Sequence, residues 1–171
     1  MWTLIIIIAI VLGLFLCVKI VFVVDDRRYY KEHKDIFEAH RRIGYPKLTT
    51  QQQFDILDRE NVASVSSLTE FNFVPSGLLE YYINIEPDDY LEHVHSLNLK
   101  EKLKFNPNDI RDGFFISQEE QKFEYIFVDR NHIDFRKSFG SYDKLLRYIV
   151  YTRLKLHAPR KYRKLSKKYY A

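Results

Sequence analysis

The chain of 171 residues carries 27 Lys and Arg against 23 Asp and Glu, a formal net charge of +4, with 13 Tyr, 13 Phe and only five Gly and five Pro. That aromatic composition, poor in Gly and Pro, excludes a low-complexity or disordered chain, and a single cysteine excludes a disulfide framework and a cysteine metal site. No phosphate loop, nucleotide fingerprint, nucleophile elbow or zincin helix occurs, so no motif points to an enzyme or calls for a cofactor.

The first stretch, Trp2 to Val24, is 23 residues long with one charge, Lys19, and 17 of its residues are Ile, Leu, Val or Phe. As a helix rising 1.5 Å per residue it spans roughly 35 Å, enough to cross a bilayer core of about 30 Å. Lys19 lies near its end, where the long stem carries the ammonium to the headgroups. The basic region and cleavage site of a signal peptide are both missing. Cys17 follows Leu16, where a lipoprotein site wants a small residue, and reads as a lipid-facing apolar side chain. Arg27, Arg28, Lys31, Lys34, Arg41 and Arg42 all follow the span within 18 residues. The positive-inside bias therefore predicts a single-pass protein of a cytoplasmic membrane with its C-terminal part in the cytoplasm.

The organisation expected is an anchor over 1–24, a juxtamembrane helix over 25–46, a globular α+β domain over 47–156 and a basic tail over 157–171. In the juxtamembrane segment Ile36, Phe37, His40 and Ile43 share a helix side, and Gly44 and Pro46 supply a stop. Thr50 and Gln53 have capping-box spacing and open a helix to about Glu60. Asn61 to Leu68 reads as a loop or weak strand. Glu70 to Ile85, with Pro75-Ser76-Gly77 inside it, reads as two short strands or a turn into Leu78–Ile85. Pro87 and two acids at a first turn predict a helix from PDDYLEHVHSL, and Lys100 to Asp112 is a connection. A meander follows: a strand at Phe114–Ile116, a second at Lys122–Val128 with Phe123, Tyr125 and Phe127 on one face, and a third from Ile133 to Phe139. Ser141 then offers an N-cap for a helix to about Leu156, whose Tyr142, Leu145, Leu146, Ile149 and Leu156 form the face expected to pack on the meander.

Charge is distributed unevenly. From Arg153 to the end there are eight Lys or Arg and no acid, whereas Leu48 to Leu99 holds nine acids against Arg59 alone. Within that acidic stretch Glu86, Asp88, Asp89 and Glu92 are the candidate contacts for a protein partner, because an acidic face speeds encounter with a basic one. The plainer account is a helix N-terminus decorated with favourable acids. No calcium loop accompanies them. The tail, with Arg160, Lys161, Arg163, Lys164, Lys167 and Lys168 among its tyrosines, suits an anionic lipid surface, as do Arg27 and Arg28 beside the span. Nucleic acid is the weaker reading of the same pattern, and a solvated tail is the bland one. His93 and His95 diverge on a helix and so make no metal pair. His33 and His40, seven apart among charges, read as a solvated helix surface.

The run DGFFISQEEQKFEYIFVDRNHIDFRKSFGSYDKLLRYIVYTRL, residues 112 to 154 and about a quarter of the chain, resembles the C-terminal part of bacterial polymorphic-toxin immunity proteins. The likeness lies in a Gly-Phe-Phe-Ile strand, an aromatic hairpin, and a helix opened by F-x-S with a Tyr and a hydrophobic residue further on. The turn Asp129-Arg130-Asn131-His132 departs from the Arg-Gly such proteins often place there. The resemblance implies a small α+β domain that inhibits a cognate toxin by binding, with no chemistry, and it carries no residue roles. The contrasting reading is a membrane-anchored adaptor or regulatory subunit of a bacterial envelope complex that uses the span for contacts.

Overall fold

A computed structural model describes residues 28–59, 61–106, 112–120, 122–130, 132–166 and 169–170. The predicted span Trp2–Val24, together with Arg27, Lys167 and Lys168, lies outside them. Among the described residues no helix is long and apolar enough to cross a membrane. A boundary after Gly44 divides the chain into two compact units. Gly44 and Tyr45 both take positive φ there, the turn for which a glycine is suited.

In the first unit residues 28–32 are helical, His33 interrupts with a turn, and α1 runs over Lys34–Arg42. His33 stays tied to the preceding turn, its Nδ1 lying 2.9 Å from the Tyr29 carbonyl. Ile36 and His40 are buried, while Ile43 is exposed, so the apolar side is narrower than the spacing predicts. His40 is the clear correction. It is fully buried rather than solvated, and burial holds its imidazole pKa below the ordinary value.

The second unit begins with α2, Thr50–Arg59. Its capping box is Thr49 with Gln52, one residue ahead of the predicted pair. Thr49 Oγ1 accepts from the Gln52 N–H at 3.2 Å, and Gln52 Oε1 accepts from the Thr49 N–H at 2.9 Å. The displaced Gln53 is buried instead. Its Oε1 accepts the backbone N–H of Asn84 at 2.7 Å, and its Nε2 donates to the Leu48 carbonyl at 3.3 Å. Single helical turns follow, α3 over Ala63–Ser66 in place of the expected loop or weak strand, and α4 over Ser76–Leu79, where the sequence allows two short strands or a turn into Leu78–Ile85. Val65, Leu78, Tyr82 and Ile83 are buried there. Their chain is held by turn bonds such as Leu78 N–H to the Pro75 carbonyl and Ile83 N–H to the Leu79 carbonyl, not by a ladder.

Helix α5, Pro87–Ser96, forms as predicted, with Pro87 in its first turn and Tyr90, Leu91 and Val94 buried. Asn98 takes the left-handed conformation that its short side chain tolerates and turns the chain into α6, Leu99–Lys102. Three antiparallel strands then make a meander in the order β1-β2-β3: β1 Gly113–Glu119, β2 Lys122–Asp129 and β3 His132–Phe139. Both hairpins close through two-residue loops, and Glu120 and Arg130 take the positive φ such loops demand. The outer side of β1 is covered by the segment after α6, where Ile116 exchanges backbone bonds with Leu103 and Phe105. The outer strand β3 is bulged between its pairs at Phe127 and Val128, which breaks a flat edge.

The domain closes with α7, Tyr142–His157. Ser141 caps it, accepting the Lys144 N–H at 3.3 Å, and Asp143 supplies the first-turn acid. The helix packs on α5 as well as on β2 and β3, so its buried set is Leu145, Leu146, Ile149, Val150 and Leu154, wider than a single sheet-facing stripe. At roughly 2 kcal/mol each, these five side chains contribute on the order of 10 kcal/mol as an upper estimate. Leu156, predicted to belong to the packed face, points out instead and is 66% exposed. The sheet meets the helix through Tyr148, whose ring lies edge-on to Tyr125 and tilted against Phe139.

Candidate functional site

The four predicted contact acids sit at one end of α5. Glu86 is the residue before its first turn, and Asp88, Asp89 and Glu92 lie in its first two turns, all exposed. Among the described residues none of the four is in an ion pair. Asp88 is the most engaged, accepting from the Tyr169 hydroxyl at 3.3 Å. Asp89 and Glu92 border a shallow depression with Thr50, Phe54 and His93. The helix dipole favours acids at this end. Glu86 acts electrostatically on Lys161 and Asp88 on Arg147, so Asp89 and Glu92 carry the least compensated charge of the four.

The segment read as a basic tail is packed against the body. The Tyr162 hydroxyl donates to the Ile85 carbonyl, the Tyr169 hydroxyl to the Pro87 carbonyl, and the Lys161 N–H to Glu80. Tyr162 and Tyr170 are buried, and burial pushes the Tyr162 hydroxyl pKa up to about 12. Arg160 lies 3.7 Å from Glu80. Arg160, Lys161, Arg163 and Lys164 are all exposed, as is Arg28 in the first unit, where it pairs with Glu32 at 2.9 Å. The tyrosines interleaved with these cations are thus the glue that holds the segment, leaving the cations at the surface.

Between α2, α5 and α7 the fold builds a part-buried ionic cluster that no sequence motif announces. Asp58 is its centre. Its Oδ1 accepts from the Tyr90 hydroxyl at 2.7 Å and from Arg153 Nη1 at 2.6 Å, and its Oδ2 lies 2.7 Å from His93 Nε2. Arg153 Nη1 also donates to the Tyr90 oxygen at 3.0 Å. The ring of Phe54 stacks on His93 with centroids 3.9 Å apart, fixing the imidazole plane. Burial works against the Arg153 charge, yet Tyr90 and Asp58 outweigh it and its pKa is raised. The Tyr90 hydroxyl is raised as well, chiefly by burial. His93 and His95 diverge as a helix requires, and His95 turns instead to Asp143 at 3.3 Å. Among the described residues no group of three His, Cys, Asp or Glu is placed to hold a metal ion.

Beside this cluster the last helix and the sheet leave an open groove of about 400 Å³. Phe114, Phe127 and Phe135 stand in one cross-strand row, paired Phe114 with Phe127 and Phe127 with Phe135, and form its sheet wall. Tyr148 and Leu156 form the helix wall, while Asp58 and Arg153 reach it from the ionic cluster. Phe114, Phe135 and Leu156 are exposed at its rim. Sequence periodicity places Phe127 on one strand face and Leu156 on the helix face expected to pack, and it does not foresee a groove between them. Comparison with family models, with curated proteins and with solved structures gives no match for this chain.

Proposed function

We propose that this chain is a membrane-anchored immunity protein that binds a cognate bacterial toxin and occludes it without catalysis. In this reading Trp2–Val24 anchors it in the cytoplasmic membrane with the second unit on the cytoplasmic side. The observation that carries the reading is the exposed carboxylate cluster of Glu86, Asp88, Asp89 and Glu92 on α5, free of ion pairs among the described residues. Exposed charge on a helix end steers and orients a basic partner, and contacts of this kind govern association rate and specificity. The strand, hairpin and helix over Gly113–His157 follow the order that the resemblance to immunity proteins implies, and they supply the scaffold on which α5 packs.

Protection of cells against a candidate toxin cloned from the same genomic neighbourhood tests the proposal. The full chain is expected to protect, and the D89K/E92K variant, altered at two exposed positions, is expected to lose most of that protection with an unchanged circular dichroism spectrum. Failure of the unaltered chain to protect refutes the immunity reading. Full protection by D89K/E92K refutes the acidic contact alone.

A further inference from the structure

The groove between the sheet and α7 holds polar groups that the ionic cluster does not use. Tyr125 is 5% exposed, its ring is stacked on Phe114 and edge-on to Tyr148, and its hydroxyl makes no hydrogen bond among the described residues. Among the described residues Ser64 Oγ is the one buried side-chain polar atom left without a partner, so the Tyr125 hydroxyl opens onto the groove, where a ligand can meet it. Tyr125 lines the groove, and the Arg153 guanidinium beside it is close enough to act on its ionisation. Arg153 in turn uses only Nη1 toward Asp58 and Tyr90, leaving Nε and Nη2 without a partner among the described residues. Asp58 already meets Tyr90, His93 and Arg153, so three of its roughly four acceptor positions are used within the cluster.

We propose that this groove is a binding site for a small aromatic monocarboxylate, its ring between the phenylalanine row and Tyr148 and its carboxylate on Arg153 and Tyr125. The walls select an aromatic body, because Phe114, Phe127 and Phe135 offer ring faces and edges for offset stacking. A volume of about 400 Å³ suits a ligand of one or two rings. The donors select the head. A planar guanidinium and a phenol together match a carboxylate, whereas a cationic head meets Arg153 and finds Asp58 already engaged. The site is separate from the acidic end of α5, and its ligand is independent of any toxin.

The test is calorimetric titration of the full chain in lipid nanodiscs with naphthalene-2-carboxylate, against the neutral naphthalene-2-carboxamide and against empty discs. The carboxylate is expected to bind saturably, about tenfold more tightly than the carboxamide, a ratio in line with a hydrogen bond to a charged group. Tyr125→Phe, which removes only the unbonded hydroxyl, is expected to weaken the carboxylate several-fold. Leu156→Asp, at an exposed rim position, is expected to weaken it further by placing a like charge at the mouth. Heat no greater than that of empty discs overturns the site. Equal binding of acid and amide, or affinity unchanged in both variants, overturns the assignment of the head group. Absence of ligand binding together with concentration-dependent dimerisation that Leu156→Asp abolishes assigns the groove to a second copy and overturns the proposal.

Discussion

Gln53 shows how one side chain joins segments that the sequence separates. It ties the start of α2 to Asn84, 31 residues away, through the Asn84 N–H, and it returns its own amide hydrogens to Leu48. Gln53→Leu keeps the volume and strands both backbone groups. Each unmet group costs about 1–3 kcal/mol, so the variant is expected to lose about 2–4 kcal/mol in urea unfolding. A loss under 0.5 kcal/mol would show that water replaces both bonds. Asp58 works in the same way on a larger scale, meeting Tyr90 and His93, 32 and 35 residues on, and Arg153, 95 residues on. Spacing along the chain carries no trace of such a cluster, since its members belong to three helices that meet only in the fold.

At the scale of elements, the parts legible in the sequence are those whose burial is periodic. The meander and α7 emerge from alternation and from a helical stripe, and α5 from Pro87 with Asp88 and Asp89. Segments 61–68 and 70–85 are not legible because α3 and α4 are single turns, too short for a period to develop, and because Tyr82, Ile83 and Ile85 are buried in irregular chain. Leu156 fits the stripe of α7 but stands exposed at the rim of the groove instead of packing on the sheet. The cap of α2 was displaced by one residue because Thr49 and Thr50 both have a glutamine three positions on. The geometry decides between them. Thr49→Ala is expected to cost about 1 kcal/mol and Thr50→Ala, at an exposed helical position, less than half of that. Equal midpoints for the two variants in urea would show that the capping box contributes nothing.

For the whole molecule, the last residues decide whether the basic C-terminus is an appendage or a layer of the fold. Tyr162 is 7% exposed with its hydroxyl on Ile85, so Tyr162→Ala opens a cavity and strands a carbonyl, and a loss of about 3–5 kcal/mol is expected. A loose tail would give a change near zero. The packed tyrosines also fix where the cations stand. Lys161 and Lys164 are exposed on a turn whose backbone is bonded to the body, so lipid docking requires no further ordering of that backbone. Each cation close to an anionic leaflet gains about 1 kcal/mol, which corresponds to roughly a fivefold slower reaction of its ammonium with an amine-modifying reagent. With the full chain in nanodiscs, Lys161 and Lys164 are therefore expected to be protected in anionic lipid and not in zwitterionic lipid, and the protection to fade in high salt as screening shortens the reach of the surface. Equal rates in the two lipids would dismiss the membrane surface as the partner of this turn and leave its charge to solvent.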